Sequence, residues 1–137
     1  MLEVARAFTK MSPRPKRSIL FLAVTGEEAG LPGSDYFAHF PTVSKEDIAA
    51  NVNMDEDQML WPLQDIMAHG AEHSSLQGVV ERAAQRLQLN VSPDPALEEV
   101  AFVRSDQYSF VKQGIPAVFP SPSSQGILGP ARRQSLG

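Results

Sequence analysis

The feature that most constrains the fold is an unbroken apolar run from Ile19 to Val24, followed by Gly26-Glu27-Glu28. A run bounded by Lys16-Arg17 on one side and by glycine on the other predicts a strand buried on both faces. Such strands are typical of parallel sheets covered by helices, and ligands of these sheets bind beyond the carboxyl ends of the strands. The sequence therefore predicts an α/β fold with Glu27 and Glu28 at a candidate site.

A second strand-like segment, from Asn51 to Asp55, also ends in an acid. Two strand ends of this kind would bring the carboxylates of Glu27, Glu28 and Asp55 together. Clustered carboxylates raise one another's pKa and need a cation or shared protons to coexist. Taken alone, the Glu27-Glu28 pair also fits the acidic first turn of a helix, where the helix dipole favours negative charge.

Three motifs carry a resemblance to a known family: Thr25 to Ser34, Asn53 to Asp55, and Arg104 to Ala117. Their order and spacing are similar to those of the di-zinc aminopeptidases of peptidase family M28. The resemblance covers about Lys16 to Phe119. It implies a three-layer α/β/α fold with a mixed, mostly parallel central sheet, of the zinc exopeptidase kind and truncated at both ends.

The resemblance also implies an activity and a role for each acid. The expected enzyme is a zinc-dependent aminopeptidase, a hydrolase that cleaves N-terminal peptide bonds of peptide substrates with a metal-activated water. Metal pairs in such sites polarise the scissile carbonyl and lower the pKa of the bound water. Glu27 is implied to be the general base and acid, Glu28 a ligand of one zinc ion, and Asp55 a ligand of the other.

Three residues of the third motif are candidates for a supporting layer or a substrate pocket: Asp106, Gln107 and Tyr108. We expect Asp106 to cap the helix from Gln107 to Lys112 or to buttress the site. Gln107 stands where the family often has histidine, which leaves hydrogen bonding as its expected role.

Part of the family's metal site has no counterpart in this sequence. The expected His-x-Asp motif would lie upstream of Met1, and the expected last histidine, which should follow Phe119, is absent. Zinc sites rely on nitrogen or sulfur ligands, and the chain has no cysteine. We therefore expect two zinc ions in the complete family site but weak or no zinc binding by this chain, which we interpret as a fragment.

The histidines present do not replace the missing ligands in this interpretation. His69 and His73 would share one face of a helix, but we expect both on a loop after a strand from Asp65 to Ala68. The following helix is predicted to begin with Ser74 as N-cap and Gln77 closing a capping box.

Other charged residues have expected structural roles. His39 ends a short helix from Ser34 to Phe40 and fits a cation at a helix C-terminus. Pro32 suits the first turn of that helix. Glu56 and Asp57 are interpreted as part of a solvated loop.

Periodicity and turn residues predict the remaining elements. Apolar spacing predicts an N-terminal helix with its apolar residues on one face and a central helix with a core-facing stripe, and glycine is expected to end a third helix. These helices are Val4 to Met11, Ser75 to Leu87, and Gln107 to Gln113 closed by Gly114.

A last strand is predicted from Ile115 to Phe119, after which Pro, Ser, Gly and Gln dominate the sequence. Pro116 favours an edge position for this strand or a place among its first residues. We expect one partial peptidase domain over 1–119 and a disordered tail over 120–137.

Composition excludes several classes of protein. A net charge of -4 without an extended basic cluster gives no reason to expect nucleic acid binding. No apolar run approaches the roughly 20 residues of a membrane span, and no signal peptide opens the chain. A peptide is the expected partner. The oligomeric state is open, and a periplasmic or secreted location is expected for the full-length family member.

Two alternative functions remain open at this point. One is a different reaction on the same fold, carried out by a carboxypeptidase or a glutaminyl cyclase-like enzyme. The other is a catalytically inactive scaffold or binding domain. The sequence does not predict the preferred side chain of the substrate.

Overall fold

The computed structural model describes residues 1–55, 63–96, 98 and 100–122. Its helices are α1 (Leu2–Lys10), α2 (Pro32–His39), α3 (Leu76–Arg86), α4 (Ala101–Arg104) and α5 (Gln107–Lys112). Its strands are β1 (Asn51–Val52), β2 (Asp65–His69), β3 (Asn90–Val91) and β4 (Ala117–Pro122). Short 3₁₀ turns occupy Glu27–Ala29, Lys45–Asp47 and Ala71–His73.

The four strands form one mixed sheet in the order β1-β4-β2-β3. The β1–β4 and β2–β3 pairs are parallel, and the β2–β4 pair is antiparallel. Helices lie on both sides of the sheet. The predicted α/β fold with a mixed, mostly parallel sheet is therefore confirmed.

The predicted strand from Ile19 to Val24 is wrong. The segment has no regular secondary structure, and Ile19, Leu20 and Phe21 are exposed while Leu22 and Val24 are partly buried. Among the residues described, its backbone makes no hydrogen bond to a strand. The apolar run indicates a preference for burial. A strand also needs a neighbouring strand with free backbone N–H and C=O groups, and hydrophobicity does not specify that neighbour.

The main core lies where α2 and α5 pack against the start of β4. Its buried residues are Ala38, Phe110, Ile115 and Ala117, with Leu22, Phe37, Ile48 and Val111 packed around them. Two polar links join the same helices: Ser34 Oγ lies 3.0 Å from Ser109 Oγ, and Lys112 Nζ donates to Asp35 Oδ1 at 2.7 Å. This core fixes the position of α5, which follows directly after Asp106.

Proline does not place β4 at an edge of the sheet. Pro116 precedes the strand, and β4 lies between β1 and β2. Within the strand, Pro120 and Pro122 alternate with Phe119 and Ser121, which keep the N–H groups needed for pairing. The strand continues three residues beyond the predicted boundary at Phe119, and residues 123–137 of the predicted tail lie outside the described part of the chain.

The central helix agrees in position with the prediction but not in its start or its burial. Ser75 is the N-cap of α3, and Gln77 donates to Glu81 and so closes no capping box, although Ser74 Oγ accepts from the Leu76 N–H. Only Ala84 of the predicted stripe is buried, whereas Val79 and Leu87 are 50% and 69% exposed. The stripe is therefore a partly covered face and not a core.

Several other predictions are confirmed. The N-terminal helix ends before Pro13, although none of its residues is buried. Pro32 lies in the first turn of α2, and Gly114 follows α5 with a left-handed φ of 77°. The short elements β3 and α4 were not predicted. In the described ranges, no helix is long and apolar enough to cross a membrane.

Candidate active site

Glu27 and Glu28 begin a 3₁₀ turn within a tight loop that leads from Thr25 into α2. The Gly33 N–H donates to the Thr25 carbonyl at 3.1 Å, and a Cβ atom at position 33 would lie 2.4 Å from that oxygen. Only glycine permits such a close approach of two backbone segments. The loop leaves Glu27 partly buried and Glu28 exposed.

Asp55 follows β1 and is held by a polar network from the segment before α5. Ser105 Oγ donates to Asp55 Oδ2 at 2.9 Å, and Asn53 Nδ2 lies 3.1 Å from Ser105 Oγ. Asn53 Nδ2 also donates to Gln107 Oε1 at 2.8 Å. Ser105 is 5% exposed and Gln107 is fully buried. These contacts fix the orientation of the Asp55 carboxylate through its Oδ2 atom.

Gln107 anchors this network to the rest of the fold. Its Oε1 accepts from Asn53, and its Nε2 donates to the Phe102 carbonyl at 2.7 Å. Both ends of the buried amide are therefore used inside the protein. Gln107 is therefore suited to position Asn53, and it links the candidate site to α4.

Three other acids lie close enough to Glu27 to affect its pKa. Burial raises the pKa of Glu27, and the negative charges of Asp55, Glu28 and Asp106 raise it further. The nearby Ser105 hydroxyl acts in the opposite direction and lowers this pKa. Glu27 is thus the carboxyl group at which the other three acids act together. We call Glu27, Glu28, Asp55 and Asp106 the acidic cluster.

Asp106 does not cap α5 through its side chain. It is the N-cap residue in sequence, but its backbone is in the right-handed helical region and its side chain makes no capping hydrogen bond. Its Oδ1 atom is buried and has no hydrogen-bond partner among the described residues. The capping prediction is therefore wrong, and the buttressing alternative agrees with the charge that Asp106 adds near Glu27.

Tyr108 lies apart from these contacts. Lys112 Nζ is 5.9 Å from the centre of the Tyr108 ring, so the ring faces a surface lysine. In the part of the chain that the structure describes, the Tyr108 hydroxyl makes no hydrogen bond to the acidic cluster.

The three histidines have structural surroundings that differ from the prediction in one case. His39 ends α2, and its Nδ1 bonds the Asp35 carbonyl at 2.8 Å, as expected for a helix C-terminus. The side chain of His73 is 62% exposed in a 3₁₀ turn. His69 was expected on a loop but is the last residue of β2, with its side chain only 8% exposed.

The zinc ions implied by the resemblance can be tested against this donor set. The cluster offers carboxylate oxygens only, one of which already accepts from Ser105. Among the residues described, no three His, Cys, Asp or Glu side chains have a geometry that could hold a metal ion. Zinc prefers nitrogen or sulfur donors in addition to carboxylates. The described residues therefore do not by themselves fit a zinc ion.

Sequence reasoning missed Asn53 and Ser105 as functional residues. Both belong to motifs that were singled out, but only their acidic neighbours were given roles. Each motif places an amide or hydroxyl side chain close to a carboxylate in the sequence. Such side chains often orient a ligating carboxylate by hydrogen bonds, and this pattern could have identified them.

Comparison of the sequence with known families gives a match. The family model described as peptidase family M28 matches residues 1–129. No curated protein and no solved structure matched the chain. Because the family match spans most of the sequence and includes all three motifs, the chain belongs to peptidase family M28, a family of metallopeptidases.

Proposed function

We propose that this chain carries the general base and two metal-ligating carboxylates of an aminopeptidase that hydrolyses N-terminal peptide bonds. The observation that supports this most strongly is the setting of Glu27, whose pKa is raised by burial and by three neighbouring acids. A general base works best when its pKa is close to the operating pH, and carboxyl groups reach that range through burial and like charges.

In this proposal Glu27 moves the proton. Its carboxylate takes a proton from the water that attacks the scissile carbonyl, and it then gives that proton to the departing amine. The neighbouring acids favour the protonated form that results, since each of them raises the pKa of Glu27. The proposed reaction therefore uses the same neighbouring charges that raise the pKa of Glu27.

Asp55 and Glu28 have the second role, that of ligands. Asp55 is suited to this role because Ser105, which is itself bonded by Asn53, fixes the orientation of the carboxylate. Hydrogen-bonded support of this kind orients ligating carboxylates in metal sites. The proposal requires nitrogen ligands from outside the described residues, because the described ones do not complete a zinc site.

The two roles are separated by a pair of isosteric variants of the zinc-loaded protein. Glu27→Gln should keep bound zinc while turnover of aminoacyl substrates falls by about 10²-fold or more, because only the base is lost. Glu28→Gln should lower zinc content as well as turnover. Glu46→Gln, on the exposed Lys45–Asp47 turn, is the matched control.

Equal zinc content and equal turnover in the Glu27 and Glu28 variants would contradict these roles. The same preparations should be assayed with C-terminally blocked aminoacyl peptides, N-terminally blocked peptides and peptides that begin with glutamine. Cleavage of the second class or cyclisation of the third, without aminopeptidase turnover, would replace the proposed reaction with carboxypeptidase or cyclase activity.

A further inference from the structure

A second group of functional side chains lies at the β2–β4 pair, outside the acidic cluster. His69 Nε2 is 3.1 Å from Ser121 Oγ, and His69 Nδ1 is 3.2 Å from Asp94 Oδ2. The side chains of His69 and Asp94 are only 8% and 16% exposed. We call these three residues the His69 cluster.

The fold fixes each member of this cluster. In the antiparallel pairing of β2 with β4, His69 is opposite Phe119 and Met67 is opposite Ser121, so His69 and Ser121 are diagonal neighbours on one face. The His69 ring also packs on the Phe119 ring, with 5.5 Å between ring centres.

Asp94 is held independently of the histidine. It follows β3, which pairs with β2, and its Oδ1 accepts from the Ala96 N–H at 2.8 Å. The other oxygen, Oδ2, is the atom that faces His69. The carboxylate is therefore oriented by the backbone before it contacts the ring.

These contacts determine the form of the imidazole. A carboxylate only accepts hydrogen bonds, so the nearby Asp94 favours a proton on Nδ1. In the neutral ring, Nε2 is then the acceptor, and it faces a hydroxyl group that can donate. A serine, a histidine in this tautomer and an orienting aspartate form the arrangement that activates serine as a nucleophile.

A cavity of about 680 Å³ lies beside this cluster and is lined in part by His69 and Asp94. Its other walls include the apolar side chains of Val80, Val91 and Phe102. Cavities of this size hold small ligands, and an apolar lining favours an apolar group. Ser121 is not itself a lining residue, but it bonds His69, which is one. An ester with a short apolar acyl chain suits the cavity, with its carbonyl at the His69–Ser121 pair.

We propose that Ser121, His69 and Asp94 form a nucleophilic triad that takes up the acyl group of such esters. Ser121 Oγ bonds to the acyl carbon as its proton moves to His69 Nε2, and the alcohol leaves with that proton. Water then attacks the acyl carbon and gives a proton to Nε2. Ser121 regains this proton as the carboxylic acid departs. This activity is separate from the proposed peptidase reaction and uses none of the acidic cluster.

The test is covalent labelling of the purified chain with an alkyl fluorophosphonate, mapped by peptide mass spectrometry, in the presence of a chelator. One adduct per chain is expected, on Ser121. Ser92 is an internal control because it lines the cavity, but its hydroxyl donates to Asp65 at 2.6 Å and, among the described residues, makes no hydrogen bond to a histidine. Ser18→Ala, on an exposed segment, is the matched surface variant.

Three variants make the result decisive. Ser121→Ala should abolish the adduct, and His69→Gln and Asp94→Asn should each slow labelling by about 10²-fold or more, the scale of general-base assistance. Asp94→Asn keeps the size of the side chain, so this variant still tests the triad if His69→Gln protein does not fold. A melting curve of each variant should show that it is folded. The rate of para-nitrophenyl butyrate hydrolysis should also be abolished by Ser121→Ala and lowered by His69→Gln and Asp94→Asn.

Absence of an adduct on Ser121 in the unmodified chain would overturn the proposal. So would an adduct on Ser92, or an unchanged labelling rate in folded Asp94→Asn protein.

Discussion

The acidic cluster and the His69 cluster differ in how their charges are balanced. Asp94 faces an imidazole and a backbone N–H, so its negative charge has partners inside the protein. Glu27 instead faces three other acids, and its pKa is raised. The charge of the His69 cluster is therefore balanced by protein groups alone. The acidic cluster concentrates negative charge that only a cation or a proton can compensate.

Gln107 joins the segment near the acidic cluster to α4 and gives the largest expected effect. Its Oε1 accepts from Asn53 near the acidic cluster, and its Nε2 bonds the carbonyl of Phe102, which lines the cavity near His69. Gln107→Glu would place a carboxylate against that carbonyl in a fully buried position. We expect a loss of unfolding free energy of about 3 kcal/mol or more, measured by urea denaturation.

Gln85→Glu, on the exposed side of α3, is the control for Gln107→Glu. Equal midpoints for the two variants would show that Gln107 is not a buried link between Asn53 and Phe102.

Gly33 tests how tightly the loop of the acidic cluster is packed. A Cβ atom there would meet the backbone of Thr25, which cannot rotate away. Gly33→Ala should therefore lower the unfolding free energy by about 1–3 kcal/mol. Gly78→Ala is the control, because its Cβ would meet only the flexible end of Arg82 and should be neutral or slightly stabilising. Comparable destabilisation by both would contradict the tight loop.

Ser105 tests whether the hydrogen bonds behind Asp55 serve metal binding. In the zinc-loaded protein, Ser105→Ala should weaken zinc affinity by about 10–100-fold, the usual effect of losing such support. Competition with a fluorescent chelator gives the affinity, and Ser18→Ala is the matched control. An unchanged affinity would assign Ser105 to folding alone.

The smallest expected effect is a pH-dependent gain in stability on neutralising Glu27. Because the pKa of Glu27 is raised above its ordinary value of 4.5, the folded state binds this proton more tightly than the unfolded state does. Stability from this group is therefore lost as pH rises from 4.5 through the raised pKa.

Glu27→Gln removes that loss, so the variant should be more stable than the parent at pH 7 by about 1 kcal/mol or less. Near pH 4 the two melting curves should coincide. A variant that is less stable at pH 7 would show that the Glu27 charge has a favourable partner.

Glu27, Glu28 and Asp55 belong to short local motifs, so the sequence predicted that they lie near one another, whereas Asp106 was expected only to cap a helix or buttress the site. The predicted reason, two strand ends, is wrong for Glu27 and Glu28 because Ile19 to Val24 is not a strand. The network behind Asp55 was not predictable in this way. Asn53 and Ser105 are 52 residues apart, and their contact depends on how α5 packs beside β1.

The same limit applies to strands and to the His69 cluster. The Ile19 to Val24 run was read as a strand from hydrophobicity, which does not encode a pairing partner. His69 and Ser121 meet because of the β2–β4 register, and Asp94 joins them from the strand on the other side of β2. Registers of this kind are set by tertiary packing and are not visible in local sequence.

The most direct test of the central claim is an NMR titration of the Glu27 carboxyl carbon in the metal-free chain. We predict a pKa above 4.5, which moves back toward that value in Asp55→Asn protein because one of the neighbouring charges is gone. An ordinary pKa for Glu27, or one that Asp55→Asn leaves unchanged, would contradict the convergence of charge on which the proposed active site rests.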